Sequence, residues 1–265
     1  MRLQMIVSSV LTLITLLLAF SLRPAEPAVT QPEATQPQVE QKTWAEQYLE
    51  IAEREVAETE EYASVYREFF RSLPREAVQR LNRLRYMLSE LKRRAARGEE
   101  TSPSELEQIP TEARILRDYL KEHLSRRIGP KTAGKQLSRA REAVNAAERA
   151  AKAMQDAGVF PDTTQLTGAK MELSSAENYY ASREYVSSHV HAKRAEKMAK
   201  AALEEMLKQL EGKIPEEILD YLEKAIEEGR YEEAADTLEK LLELYFPKEG
   251  GRPTAEGAEL PSGLP

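Results

Sequence analysis

The stretch TWAEQYLEIAEREVAETEEYASVYREFFRSL, residues 43–73, decides the fold class. Its small and apolar residues recur at alternating spacings of four and three, which is the heptad pattern of a long amphipathic helix. The stripe consists of Ala45, Leu49, Ala52, Val56, Thr59, Ala63, Tyr66, Phe70 and Leu73. Thr43 and Glu46 have the spacing of a capping box at its start. A helix of this length needs another long helix as its partner, so the sequence predicts an all-α fold.

The next helix along the chain, residues 74–97, is the expected partner. Residues 43–73 carry eight acidic and three basic side chains, whereas residues 74–97 carry eight basic and two acidic ones. Antiparallel pairing would bring these opposite charges together. The charge pattern therefore predicts a hairpin of the first two helices.

The rest of the body also consists of helical patterns. A third helix is expected from Thr111 to about Ile128, and alanine-rich stripes follow it up to Phe246. We expect prolines to open helices and not to interrupt them. The prolines of the body are Pro74, Pro103, Pro110, Pro130, Pro161 and Pro215. The prediction is two modules, residues 43–128 and 131–246, built of antiparallel helical hairpins with coiled-coil-like packing.

Both ends of the chain differ from this body. Arg2 precedes an uncharged apolar run from Met5 to Phe20, so residues 1–21 are predicted to be a signal peptide or a membrane anchor. Cleavage before Leu22 stays open. Residues 22–42 are rich in proline and glutamine and predict a disordered linker, and residues 247–265 predict a disordered tail. Either interpretation of residues 1–21 predicts an extracytoplasmic location, in the periplasm or at the cell surface.

Two resemblances concern the second module. A turn around Arg183 and Tyr185 recurs around Gly229 and Tyr231, at an offset of 46 residues (229 − 183). With its alanine-spaced helices, the region Leu137–Met206 resembles an uncharacterised helical domain of bacterial envelope proteins and lipoproteins. The last hairpin resembles a single tetratricopeptide-like unit. The resemblance implies an all-helical envelope protein, although the cysteine that a lipoprotein needs is missing.

The residues that usually carry chemistry do not form a recognised motif. The chain has no cysteine, which excludes disulfides, thiolate metal sites and cysteine nucleophiles. None of His123, His189 and His191 has the Glu-x-x-His spacing of a helical metal site. Ser89 and Lys92 match the S-x-x-K spacing of penicillin-recognising enzymes, but the companion motifs are absent. We therefore predict no catalytic, cofactor-binding or metal-binding residue, no cofactor and no enzymatic activity.

The basic second helix is the sharpest candidate for a binding surface. A net charge of −7 argues against nucleic acid as a partner. The candidate surface for an anionic envelope polymer or lipid headgroups consists of Arg80, Arg83, Arg93, Arg94 and Arg97. Charge pairing with the acidic first helix is the alternative explanation of the same residues.

The function expected from these patterns is that of a non-catalytic scaffold or binding protein of the bacterial cell envelope. Its partner would be an envelope protein or polymer, with membrane contact through residues 1–21 if they are retained. A self-associating coiled-coil protein, forming a homo-oligomer, is the first alternative. An envelope enzyme with an unrecognised carboxylate site is the second.

Overall fold

A computed structural model of the chain describes residues 44–99 and 102–246. Within them it contains eight α-helices and no strand, which confirms the all-α prediction. The helices are α1 (Trp44–Phe70), α2 (Arg75–Ala96), α3 (Pro103–Ser125), α4 (Pro130–Asp156), α5 (Thr164–Ala181), α6 (Tyr185–Lys208), α7 (Glu216–Glu227) and α8 (Tyr231–Tyr245). The expected leader or anchor, linker and tail lie outside the described residues.

Helix α1 packs mainly against α3 and contacts α2 less extensively. The prediction that α2 is the main partner of α1 is therefore wrong. Ala113 on α3 is fully buried and lets the two backbones approach closely. The Thr59 hydroxyl of α1 lies 3.1 Å from the Ala113 carbonyl oxygen and 2.8 Å from that of Glu55. A short side chain can hydrogen-bond the facing backbone only where two helices nearly touch, which explains the preference for α3.

An ion-pair cluster reinforces the same interface. Glu55 is the one buried carboxylate among the described residues. It accepts hydrogen bonds from Arg114 at 3.0 Å and from Arg117 at 2.9 Å, both on α3. Arg117 also pairs with Glu58 at 2.6 Å. A buried carboxylate is costly unless it is paired, so α3 has to stay in register with α1.

The start of α3 corrects a second expectation. The helix begins at Pro103 and continues through Pro110, whereas the sequence pattern suggested a start at Thr111. Ser102 and Glu105 form a complete capping box that sets the earlier start. Leu106 and Ile109 lie before the interrupting proline and are both buried. Their burial offsets the hydrogen bond that a proline inside a helix forfeits.

Alanine dominates the core of the second half. Helix α6 packs on α5 and α4, and α4 also packs against α8. In this core, the fully buried alanines of the two central helices are Ala140, Ala143, Ala147, Ala150, Ala192, Ala195, Ala199 and Ala202. Because these side chains are small, the helices come close together and bury their surfaces along whole faces.

The predicted recurrence of a turn is present in the backbone. Glu184 donates its N–H to the Tyr179 carbonyl at 2.8 Å, and Arg230 does the same to Ala225 at 2.8 Å. The φ angle is 63° at Arg183 and 76° at the equivalent Gly229. The α5–α6 and α7–α8 hairpins therefore share one turn geometry, in which an arginine occupies the left-handed position that glycine favours.

The helices of the two predicted modules meet through α6. Val186 and Val190 of α6 belong to the hydrophobic core of α1–α3, together with Ala133 of α4. The buried Tyr62 hydroxyl lies 3.1 Å from the Ser187 hydroxyl oxygen, and burial raises the pKa of Tyr62 to about 12. The first turns of α6 thus join the second module to the first.

Candidate functional site

A groove runs between α2 and α3, on a side of α2 that the other described helices leave open. Three contiguous cavities of about 380, 340 and 130 Å³ form it, and we call it the α2–α3 groove. Arg80 and Ile115 line both the central and the smallest cavity, and Arg83 and Met87 line both larger ones. From Glu76 to Arg94 the groove follows α2 for about 27 Å, at 1.5 Å of rise per residue.

The walls of this groove combine apolar side chains with charges. Ile115 is 47% exposed and Tyr86 is 65% exposed, although both are large hydrophobic residues on helices. Met87 is partly buried beside them, and Leu84 and Leu91 are buried in the lining. An exposed apolar strip flanked by charged residues is typical of a surface that contacts another molecule.

Two charges in the groove lack a partner. Arg83 of α2 and Glu112 of α3 line the central cavity. Neither makes an ion pair or side-chain hydrogen bond within the part of the chain that the structure describes. A cation and an anion are therefore available on opposite walls of the same cavity.

The predicted basic surface is divided by the structure. Arg80, Arg83 and Arg94 line the groove, whereas Arg93 and Arg97 are not in its lining. Four of the five have carboxylate partners. The pairs are Arg80–Glu76 at 2.9 Å, Arg93–Glu90 at 2.6 Å, Arg94–Glu105 at 3.1 Å and Arg97–Glu99 at 3.5 Å. The Arg94 guanidinium, helped by Ser102, lowers the pKa of Glu105.

Pairing between α2 and the acidic α1 involves other basic residues. Arg85 lies 2.5 Å from Glu60, and Lys92 lies 2.9 Å from Glu53. These are exposed pairs, each worth at most about 1 kcal/mol. Arg80, Arg83, Arg93 and Arg97 form no ion pair with the described residues of α1. The charge pairing with α1 by Arg85 and Lys92 therefore involves residues outside the predicted binding surface.

The S-x-x-K pair lies on the exposed surface of α2. The Ser89 hydroxyl donates to the Tyr86 carbonyl oxygen at 2.8 Å, within the same helix. Lys92, one turn further on, is paired with Glu53. The two side chains have separate partners and do not hydrogen-bond each other.

His189 is buried, whereas His123 and His191 are half-buried. His189 is 6% exposed, and the Nδ1 atom of His191 lies 2.7 Å from Glu172. Arg194 also binds Glu172, at 2.9 Å, and the Tyr179 ring stacks on His191 with centroids 4.9 Å apart. Across residues 44–99 and 102–246, no group of three histidine or carboxylate side chains is placed to hold a metal ion. In the same residues, no helix has both the length and the apolar composition that crossing a bilayer requires.

A separate cavity of about 550 Å³ lies where α4 and α8 end. Ala153, Ala157, Leu242 and Phe246 supply its apolar lining. At its rim Arg149 binds Glu239 through two atoms, at 2.9 and 2.7 Å, and also binds Asp236. These carboxylates raise the pKa of Arg149 above its usual value. Arg149 and Glu239 are thus paired with each other, whereas Lys152, Asp156 and Glu243 of the same lining form no ion pair with a described residue.

No family model matches this chain, and no curated protein or solved structure shows significant similarity to it. The envelope-domain and tetratricopeptide-like resemblances therefore stay predictions. The α2–α3 groove is a candidate site because of its own geometry.

Proposed function

We propose that the protein is a non-catalytic binding or scaffolding protein of the cell envelope that docks an amphipathic helix of a partner protein in the α2–α3 groove. The observation that carries this proposal is the open groove itself, whose lining contains exposed Ile115 and Tyr86 and the unpaired Arg83 and Glu112. Helix-in-groove recognition uses such a strip, because the apolar face of the ligand fills it and its charges fix the register.

The length and the charges of the groove define the occupant. About 27 Å accommodates roughly 18 helical residues at 1.5 Å each. A partner helix with an acidic residue opposite Arg83 and a basic residue opposite Glu112 would satisfy both unpaired groups. An anionic polymer fits less well, because the groove also presents the carboxylates of Glu90, Glu105 and Glu112. Like charges facing each other disfavour that partner.

The location is part of the proposal and rests on sequence outside the described residues. The apolar run from Met5 to Phe20 behind Arg2 supports export, with the helical body held outside the cytoplasm. Fractionation of cells with N-terminal sequencing of the native protein tests it. Recovery of the protein from the periplasm or from the membrane agrees with export, and recovery from the cytoplasm contradicts it.

Self-association through the first seam is less well supported. Ala52, Val56 and Ala63 of that seam are buried against other helices of the same chain. A seam that is already covered cannot serve a second copy unless the module opens. Sedimentation should therefore find a monomer at high micromolar concentration, and a stable dimer would favour the coiled-coil alternative.

Site-specific photo-cross-linking in intact cells tests the docking proposal. A photoreactive amino acid replaces Ile115 in the groove, and the matched control replaces Met171, which is 68% exposed on α5. We expect a discrete cross-linked protein from the Ile115 position alone, with the attachment mapped to an amphipathic segment. The product should disappear when Arg83→Glu is added.

Other outcomes of the same experiment contradict the proposal. A heterogeneous product that is removed by polymer-degrading enzymes would indicate an anionic polymer. Equal cross-linking from both positions would indicate random contact. Turnover of a defined substrate by the purified full-length protein would contradict the non-catalytic assignment.

A further inference from the structure

A basic cavity lies between α4 and α6, away from the α2–α3 groove. Its volume is about 400 Å³. The lining residues are Lys131, Thr132, Lys135, Gln136 and Arg139 of α4 and His189 of α6. All five α4 residues belong to the first three turns of that helix, so the cavity opens at the helix N-terminus.

The first turn of α4 supplies unpaired backbone donors. The helix is 27 residues long, its N-cap is Gly129, and no side chain caps it. Pro130 at the first position has no N–H, so the free donors of this turn are the amides of Lys131 and Thr132. The amide of Ala133 is already bonded to the Gly129 carbonyl oxygen at 3.0 Å. The N-terminal end of a long helix also carries a partial positive charge.

Two lysines at this end have no counter-ion. Lys131 and Lys135 are exposed, one turn apart, on the face that lines the cavity. Neither forms an ion pair or a side-chain hydrogen bond with any described residue. Arg139, one turn further, is 3.4 Å from Glu196, which also accepts from Gln136. The unpaired positive charge is thus concentrated next to the helix N-terminus.

His189 provides an independent sign of a missing ligand. Its side chain lines the cavity, the residue is 6% exposed, and its Nδ1 is buried without a hydrogen-bond partner. The Phe69 ring packs edge-on at 5.7 Å on another side. Burial lowers the pKa of His189, while the nearby Thr132 backbone and the Glu196 carboxylate act in the opposite direction. A buried nitrogen atom without a hydrogen-bond partner is unusual, because leaving it so costs free energy.

We propose that this cavity binds a phosphoryl group, held by the free amides of Lys131 and Thr132, by the ammonium groups of Lys131 and Lys135, and by the imidazole of His189. A tetrahedral oxyanion offers several acceptor oxygens and so can satisfy donors that converge from two helices. Helix N-termini and lysines are the groups that proteins use for phosphate.

The phosphoryl group could belong to a soluble phosphomonoester or to the headgroup of an anionic lipid. The binding chemistry is the same for both. We therefore measure inorganic phosphate and phenyl phosphate in one arm of the experiment, and vesicles with or without phosphatidylglycerol in the other. Binding of inorganic phosphate or phenyl phosphate indicates a soluble phosphomonoester, and binding that requires phosphatidylglycerol in the vesicles indicates a lipid headgroup.

The test uses the full-length protein and a pair of matched double variants. Lys131→Ala with Lys135→Ala removes the two free cations, and Lys213→Ala with Lys240→Ala removes the same charge from exposed positions elsewhere. We expect saturable binding by titration calorimetry and NMR shifts at Lys131, Thr132 and the His189 ring. Affinity should fall at least about tenfold in the first variant and change less than about twofold in the control.

Three results would overturn the assignment. They are no saturable binding in either arm, equal losses in both double variants, and NMR shifts confined to other residues. If the first variant has a lowered melting temperature, Lys131→Gln and Lys135→Gln are measured singly and judged by the same criteria. Arg83→Glu in the α2–α3 groove should leave phosphate binding unchanged, so this site and the docking proposal can fail separately.

Discussion

The two halves of the described chain use different side chains to pack helices. The core of α1–α3 combines seven leucines with isoleucine, valine, tyrosine and five alanines, and the α1–α3 interface also buries the paired carboxylate of Glu55. The core of α4–α8 is built largely of alanine on α4 and α6. Large side chains span wider gaps between helices, so an outer helix such as α2 can lie beside a groove. Alanine lets the backbones of facing helices come close, and two cavities of this half lie toward the ends of α4.

The largest effect is expected where a big side chain fills the first core. Leu120 on α3 is fully buried. Leu120→Ala should lower the free energy of unfolding by about 3 kcal/mol, since it removes transfer energy and leaves a cavity. Urea unfolding measures this. Leu244→Ala, at an exposed position of α8, is the control and should cost less than about 0.5 kcal/mol. Equal losses in both variants would contradict the described core.

The alanine core should be destabilised by added side-chain volume, whereas the first core is destabilised by lost volume. Ala195 of α6 is fully buried against neighbouring helices. Ala195→Leu should destabilise by about 1–3 kcal/mol, because the added atoms force helices apart. The same change at exposed Ala57 of α1 is the control and should be nearly neutral. If leucine were tolerated at 195, the close approach of the alanine-lined helices would be wrong.

A smaller effect is expected where α1 touches the backbone of α3. Thr59→Val keeps the shape but removes the hydroxyl that bonds Ala113. The expected loss is about 1 kcal/mol in the free energy of unfolding. Thr111→Val removes an exposed bond within one helix, 2.9 Å to the Glu107 carbonyl oxygen, and should cost less. A cost at Thr59 no greater than at Thr111 would argue against this interhelical bond.

The smallest effect compares the two equivalent turns. Arg183→Gly should stabilise by about 0.5–1 kcal/mol, because φ is positive there, and Gly229→Ala should destabilise by a similar amount. Thermal unfolding at fixed protein concentration measures both changes. Ser182→Gly, where φ is −79°, should not stabilise. Identical signs at 183 and 182 would contradict the shared turn geometry.

The local pattern of the sequence predicted the helices better than their partners. The stripe through Ala52, Val56 and Ala63 is buried as the heptad pattern indicates. The choice of α3 over α2 depends on Ala113 and on the Glu55 cluster, which involve residues more than fifty positions apart. Periodicity within one helix carries no information about such contacts. The predicted helix start after Pro110 was wrong for a related reason. The burial of Ile109 and Ala113 on either side of Pro110 outweighs the backbone hydrogen bond that this proline forfeits.

The candidate site was predicted in part. The basic run pointed to Arg80, Arg83 and Arg94, which do line the groove. Ile115 and Glu112 were missed because they come from another helix. One signal was available: Ile115 lies off the buried stripe of Ala113, Leu116 and Leu120, so a large apolar residue was placed outside the expected core face. The buried environment of His189 depends on the junction of the two modules and has no local signature.

The central claim is that the α2–α3 groove binds an amphipathic helix, and one binding measurement tests it most directly. The segment mapped by cross-linking at position 115 is synthesised and titrated into the wild type, Ile115→Glu and Met171→Glu. We predict equal affinity for the wild type and Met171→Glu, and at least about tenfold weaker binding to Ile115→Glu, because a charge then faces the apolar side of the ligand. Equal affinity in all three proteins would contradict the account.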